Sequence, residues 1–290
     1  MNNNSDNIAI CPLFNFQILE VLTGEHSKEE TREYCKALAA KFVQGFQISD
    51  EIQLRLITAR ELERFRNSAF FEFAGEVSRR ITPKTFVLEI NPHKPERMNT
   101  IVDESLLSMR LHKAGDVFYK IILSQQNPQS GSMVSTGQSI LWTPHNYVIE
   151  ISEIEEIRKI IDKIGRIDLD KNRTFRIACE RFSRSYEERR DDDKIIDFAI
   201  AFESLFFEGN KAPSNTGQFV GLGCSMLIGK DNEDRKEISQ FFRKAYELRN
   251  KIVHGAEIVT PIKINGREYE MHDLTAQLQE YLRTVIKKLM

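Results

Sequence analysis

Lys236–Gly255, KEISQFFRKAYELRNKIVHG, reads as one amphipathic helix, and the second half of the chain is organised around it. Ile238, Phe241, Phe242, Ala245, Leu248 and Ile252 recur at three- and four-residue steps, which puts them on one apolar face. Gly255 stands where a helix needs a left-handed C-terminal residue, so the helix is expected to end there. Its last turn carries Arg249, Asn250 and His254. His254 stands at the negative end of the helix dipole, and an imidazole exchanges a proton near neutral pH. Arg249 offers a planar fork of charged donors suited to phosphate oxygens. Five residues along a helix amount to roughly 140° of rotation and about 7.5 Å of rise. The two side chains therefore do not stack, and they border one groove only if the final turn loosens.

This pair suits RNA cleavage by transesterification. The ribose 2′-OH attacks the adjacent phosphate, His254 moves a proton, and Arg249 stabilises the anionic phosphorus centre. The route asks for no metal and no other cofactor. One helix supplies one histidine, so a second acid or base must come from elsewhere, and a two-fold dimer would supply it. The same residues also have plainer uses. A histidine before a glycine cap can simply bond the last carbonyls, and an arginine one turn earlier can pair with a nearby carboxylate.

Around this helix the second half reads as all-α, from a boundary near residue 150. Ser152–Ile164 turns Ile154, Ile157, Ile160 and Ile161 inward. The helix over 170–190 carries Phe175, Cys179, Phe182 and Tyr186 as a buried stripe. Asp191, Asp192 and Asp193 suit the positive start of the helix that continues through Ile195–Phe207. Residues 217–228 read as helical, and Thr275–Met290 is a last amphipathic helix with Leu278, Leu282 and Ile286 on one side. Glu208–Thr216, with Pro213, is a loop. Glu203 shares a stripe with Ile196, Ile200 and Phe207, so it should be partly buried and need a partner. It either makes a structural ion pair or orients Arg249 or His254. Asp197 is expected to be solvated. Arg173, Arg176, Arg181 and Arg184 lie largely away from the buried stripe, and Arg176 and Arg184 are the candidate RNA contacts. Glu180, Glu187 and Glu188 are interleaved with them, which also describes a solvated mixed-charge face. Gly217, Gly221, Gly223 and Gly229 match no phosphate-loop spacing and point to close helix packing or a helix break.

Residues 1–150 read as an α+β domain of unassigned fold. Residues 1–7 are polar and expected to be disordered. Strands are expected at Leu13–Glu20, around Ile52–Leu56, at Thr85–Ile90, Asp116–Ser124 and Tyr147–Ile151. Ser27 with Glu30, and Thr58 with Glu61, are capping boxes that start two helices. In the first, Tyr34, Leu38 and Phe42 share a face. Asn91–Pro95 is a turn-rich loop. Phe70–Phe73 is an apolar cluster without a clear place, and Gln125–Asn146 is a low-order stretch holding Trp142. His112 and Trp142 are candidates to line a ligand pocket.

Apolar residues make up 41% and charged residues 29% of the chain, the balance of a soluble globular protein. The net charge of -2 argues against a generally basic coat for nucleic acid, though not against a local cleft. Cys11, Cys35, Cys179 and Cys224 are scattered and read as reduced thiols in a cytoplasmic protein. No apolar run approaches the ~20 residues of a membrane span, and the N-terminus lacks the apolar core of a signal peptide. His26, His93, His112, His145 and His272 have no metal-ligand spacing, so no metal site is expected. No nucleophilic Ser or Cys context appears.

LRNKIVHG resembles the RNxxxH form of the motif of the HEPN superfamily, specifically the Apea-like HEPN domains. RIACERFSRS (Arg176–Ser185) is similar to that family's first core helix, IIDFAIAFESLFF (Ile195–Phe207) to its second and AYELRNKIVHG to its closing helix. The resemblance covers about the C-terminal half, residues 151–290. It implies a helical bundle that pairs as a homodimer, with Arg249 and His254 at the dimer cleft and Asn250 placing RNA or the neighbouring side chains. It also implies a metal-independent endoribonuclease of phage defence or toxin-like growth arrest, leaving 2′,3′-cyclic phosphate and 5′-hydroxyl ends. Some family members have lost catalysis, so a non-catalytic HEPN dimer that binds nucleotide or RNA, or serves assembly, is the other reading. The N-terminal domain would sense a trigger, meet a partner protein or choose the substrate.

Overall fold

The structure is a computed structural model that describes residues 8–19, 27–67, 79–124, 131–133, 146–169, 171–207 and 214–290. The polar N-terminus 1–7, His26, Phe70–Phe73, most of Gln125–Asn146 with Trp142 and His145, and most of Glu208–Thr216 with Pro213 lie outside the described residues. The chain divides into two compact units, Met1–Gly165 and Arg166–Met290.

The first unit is built on a six-stranded antiparallel sheet. Its strands are β1 (Ala9–Pro12), β3 (Phe46–Ser49), β4 (Ile52–Leu56), β5 (Phe86–Ile90), β6 (Ile121–Ser124) and β7 (Gly131–Met133), in the order β3-β4-β5-β1-β6-β7. A separate parallel pair joins β2 (Phe16–Leu19) to β8 (Tyr147–Glu150). Both expected capping boxes form, Ser27 with Glu30 at the start of α1 (Lys28–Gln44) and Thr58 with Glu61 at the start of α2 (Ala59–Arg66). The central strand β1 escapes a reading by alternation because all four of its residues are buried. Ala9 and Cys11 join one core cluster and Ile10 another, so both faces of the strand are covered.

The sequence reading also leaves α3 (Met98–His112) unassigned. That helix has no side-chain N-cap, and two serines lie in its buried face. They are accommodated because Ser105 Oγ donates to the Ile101 carbonyl at 2.7 Å and Ser108 Oγ to the Glu104 carbonyl at 2.7 Å. Helix α4 (Ile154–Arg166) belongs with this unit rather than with the bundle. Ile154, Ile157 and Ile161 sit in the same core cluster as Tyr147 and Ile149, so the division falls after Gly165 instead of near residue 150.

The second unit is largely helical: α5 (Arg173–Arg184), α6 (Asp191–Phe206), α7 (Thr216–Ile228), α8 (Asn232–Val253) and α9 (Met271–Leu289). It is not all-α. A hairpin of β9 (Ile262–Ile264) and β10 (Arg267–Tyr269) separates α8 from α9. Its turn is Asn265-Gly266 with φ of 52° and 77°, the conformation that Asn-Gly favours in two-residue hairpins. The Tyr269 ring meets Phe241 edge-on, and Asn265 Nδ2 donates to the Glu237 carbonyl, so the hairpin is tied to α8. The expected stripes are buried along most of their length, with Phe175, Cys179 and Phe182 on α5, Ile238, Phe241, Phe242, Ala245 and Leu248 on α8, and Leu278, Leu282 and Ile286 on α9, while Tyr186 and Ile252 at the stripe ends are half-buried.

The glycines of α7 serve close packing. A Cβ placed on Gly217 would lie 2.5 Å from the Tyr246 Cβ, and one on Gly221 would lie 2.9 Å from the Ser239 carbonyl oxygen. Helices α7 and α8 can approach this closely only because those positions lack side chains. The contacts run antiparallel, so the start of α7 lies beside the C-terminal part of α8.

Candidate active site at the end of α8

Helix α8 starts at Asn232, capped by Asp231, whose side chain accepts from the Asp234 N–H at 2.9 Å. It ends as a closed motif. The Gly255 N–H donates to the Ile252 carbonyl at 3.1 Å, and the Ala256 N–H to the Lys251 carbonyl at 2.9 Å. Gly255 adopts φ 69°, the left-handed cap its sequence position calls for. The final turn is therefore tight rather than loosened. Arg249 and His254 keep the angular offset of a regular helix, and among the described residues no hydrogen bond or ion pair joins their side chains.

Asn250 is the residue that touches both. Its Oδ1 accepts from Arg249 Nη1 at 3.2 Å, and its carbonyl accepts the His254 N–H at 3.1 Å. His254 occupies the C-cap position and is exposed. The neighbouring carbonyls of the last turn are met by backbone N–H groups, so the imidazole is not spent on capping.

Arg249 is half-buried, its side chain 28% exposed, and Nη2 lies 3.9 Å from Glu203 Oε1 on α6. This is a loose pair. Nε is buried and has no hydrogen bond. The stem borders a small apolar recess formed with Ile195, Phe202 and Leu278. Burial raises the Glu203 carboxyl above its ordinary value, and the Arg249 charge and the Tyr246 hydroxyl pull it back in part. Sequence reasoning thus finds Glu203 and Arg249 as neighbours. It misses Tyr246, which is buried and donates from Oη to the Ala199 carbonyl at 3.2 Å. The available signal is its position one turn before Arg249 on the same helix.

Arg176, Arg181 and Arg184 of α5 pair with carboxylates. Arg176 pairs with Glu180 at 3.0 Å, and Arg184 with Glu188 at 3.1 Å and Asp197 at 3.5 Å. Asp197 is not solvated as expected. It is 4% exposed and takes Arg181 at 2.8 Å, joining α5 to α6 inside the unit. These pairs describe the mixed-charge face.

In the first unit, His112 Nε2 lies 3.0 Å from Glu153 Oε1, and Lys113 Nζ donates to both oxygens of the same carboxylate. His112 is thereby part of a clamp between the end of α3 and the turn before α4. His93 lies in an exposed turn, and its N–H donates to Glu51 Oε1 at 2.6 Å. Among the described residues, no group of three His, Cys, Asp or Glu side chains is arranged to hold a metal ion, and no helix is long and apolar enough to cross a membrane. The four cysteines are free thiols, with Cys11, Cys179 and Cys224 buried and Cys35 exposed.

Comparison with protein-family models, curated proteins and solved structures gives no match to this chain.

Proposed function

We propose that the chain is an endoribonuclease of the HEPN type. It would act as a homodimer through its helical unit and cleave RNA by attack of the 2′-hydroxyl on the adjacent phosphate. Asn250 carries this reading: its side chain holds Arg249 and its carbonyl holds the turn that presents His254. A half-buried guanidinium and an exposed imidazole therefore share one capped helix end. Arg249 binds and polarises the scissile phosphate, and His254 transfers the proton. The chemistry needs no metal, since the guanidinium meets the developing charge. The helical offset of Arg249 and His254 favours a site that draws on two copies, each supplying one histidine.

An apolar stripe supports pairing. Phe219, Leu222 and Met226 are 52%, 55% and 64% exposed, and they follow one another at helical spacing on α7, which runs from beside Tyr246 at Gly217 to beside Ser239 at Gly221 and on toward the start of α8. No charged residue occurs in Thr216–Ile228, so a second copy meets this face without like-charge repulsion. Leu222→Glu should turn a dimer into a monomer in light scattering; an unchanged mass would remove this face from the interface. The role in phage defence or growth arrest, the cytoplasmic setting, and the trigger-sensing or substrate-choosing role of the first unit rest on analogy with the family.

The test is incubation of the purified protein with a mixed RNA pool in EDTA, followed by mapping of fragment ends. Fragments with 2′,3′-cyclic phosphate and 5′-hydroxyl ends are expected. A folded dimer that leaves every RNA intact would instead favour the non-catalytic binding or assembly module.

A further inference from the structure

His254 has two neighbours on the preceding turn of α8, and Arg249 is not one of them. The His254 N–H still donates to the Asn250 carbonyl at 3.1 Å, the bond of a regular helix, so helical periodicity holds through His254. Asn250 and Lys251, four and three residues earlier, are offset from it by roughly 40° and 60° on opposite sides, against roughly 140° for Arg249. Arg249 lies on the Asn250 side, so Lys251 flanks His254 on the side away from the arginine. Asn250, Lys251 and His254 are all exposed. Asn250 Oδ1 is taken by Arg249 Nη1 at 3.2 Å, so its amide offers Nδ2, a donor, to a ligand. Lys251 is uncommitted. The carboxylate one turn before it, Glu247, is engaged by Lys244 at 2.6 Å and faces Arg243 at 3.9 Å, and among the described residues no carboxylate pairs with Lys251. The exposed imidazole thus stands between an amide donor and an ammonium, a set that suits an anionic strand. A cation in the last turn also suits the helix dipole, a role that would act on stability and not on RNA.

We propose that Lys251 binds a backbone phosphate next to the one that is cleaved and so holds the RNA strand across His254. The preferred substrate is then an oligonucleotide with a phosphate flanking the scissile linkage, rather than a dinucleotide. The place of that phosphate relative to the cut rests on the reading of His254 as the proton-transfer group. The contact of Lys251 with the strand does not.

The test is Lys251→Gln in the full chain, titrated with a fluorescent 2′-O-methyl RNA oligomer, which has no 2′-hydroxyl to attack, over a series of salt concentrations. The slope of log Kd against log salt should fall by roughly 0.7 for each lysine that leaves the strand. Lys251→Arg should keep the slope. Lys236→Gln makes the same charge change about 27 Å away along the helix and should leave the slope unchanged. In the cleavage assay Lys251→Gln should raise KM for an oligomer about three- to fivefold at unchanged kcat, as one exposed ion pair lost equally from ground and transition states. KM for a dinucleotide should stay the same. An unchanged slope in Lys251→Gln, with or without an early melt, would overturn the proposal, and so would an equal fall in Lys236→Gln or a wild type that binds no RNA. Equal rises in KM for oligomer and dinucleotide would overturn the assignment to a flanking phosphate. A wild type that binds the oligomer with the lysine-dependent slope yet cleaves no RNA would sink the nuclease reading and leave the contact of Lys251 standing.

Discussion

His254→Ala is expected to lower RNA cleavage by about 10²–10⁴-fold, the contribution of one positioned acid or base, and to leave the thermal midpoint unchanged. The separation of the two effects follows from the helix end. The cap of α8 is closed by the N–H groups of His254, Gly255 and Ala256, and the left-handed turn is supplied by Gly255. Alanine keeps all of these groups, and an exposed imidazole takes no packing with it. Arg249→Ala should behave differently. Cleavage should fall by about 10²–10³-fold through loss of transition-state charge stabilisation. Stability should also fall, because Glu203 is left half-buried without its cation and the apolar recess loses the arginine stem. The checks are initial rates on an end-labelled RNA and thermal melts on the same preparations. If His254→Ala melted early while Arg249→Ala did not, the histidine would be a structural cap and the assigned roles would be wrong.

The parts of the structure legible in the sequence share one property: a single face decides them. Helices α5, α8 and α9 each bury one stripe, so periodicity reveals them, and Ser27–Glu30 and Thr58–Glu61 announce two helix starts because their bonds are local. Strand β1 is hidden by being buried on both faces, and α3 by serines whose hydroxyls bond back into the helix. The hairpin at Asn265-Gly266 carries its turn signal openly, but three-residue strands are too short to alternate visibly. At the candidate site, Glu203 is found from its place in an apolar stripe. Asp197 is misjudged, because its burial depends on Arg181 and Arg184 approaching from another helix. Tyr246 reads as one more core aromatic until the Ala199 carbonyl is brought to it by tertiary packing.

Arg55→Ala is expected to cost the first unit about 3 kcal/mol, toward the low end of the penalty for breaking a buried ion pair, because the stranded carboxylates of Glu61 and Glu89 are only partly buried. Arg55 is 5% exposed. It donates through Nη1 and Nη2 to both oxygens of Glu61 at 2.8 and 2.6 Å, and through Nε to Glu89 at 2.8 Å. Glu61 also closes the capping box of α2, while Arg55 and Glu89 sit on neighbouring strands β4 and β5. One guanidinium thus joins two strands to a helix start. Burial pushes the Glu61 carboxyl up, but the bonds from Arg55 and Thr58 outweigh it and hold the group at about 2, against an ordinary 4.5. A depressed carboxylate stabilises the fold above its unfolded value and loses that contribution as pH falls through its folded one. Between pH 4.5 and 2 the wild-type unit should therefore lose about 3 kcal/mol from Glu61, since lowering a carboxyl's pKa by one contributes about 1.4 kcal/mol. In Arg55→Ala this acid-dependent loss should largely vanish, because the chief bonds that depress Glu61 are gone. Replacing the whole cluster, as Arg55→Met with Glu61→Gln and Glu89→Gln, should restore part of the neutral-pH stability, since no charge is then stranded. Amide exchange in β4 and β5, followed across this pH range, reads the unit locally. A wild type and an Arg55→Ala variant with parallel pH profiles would show that the cluster is not what makes this unit acid-sensitive.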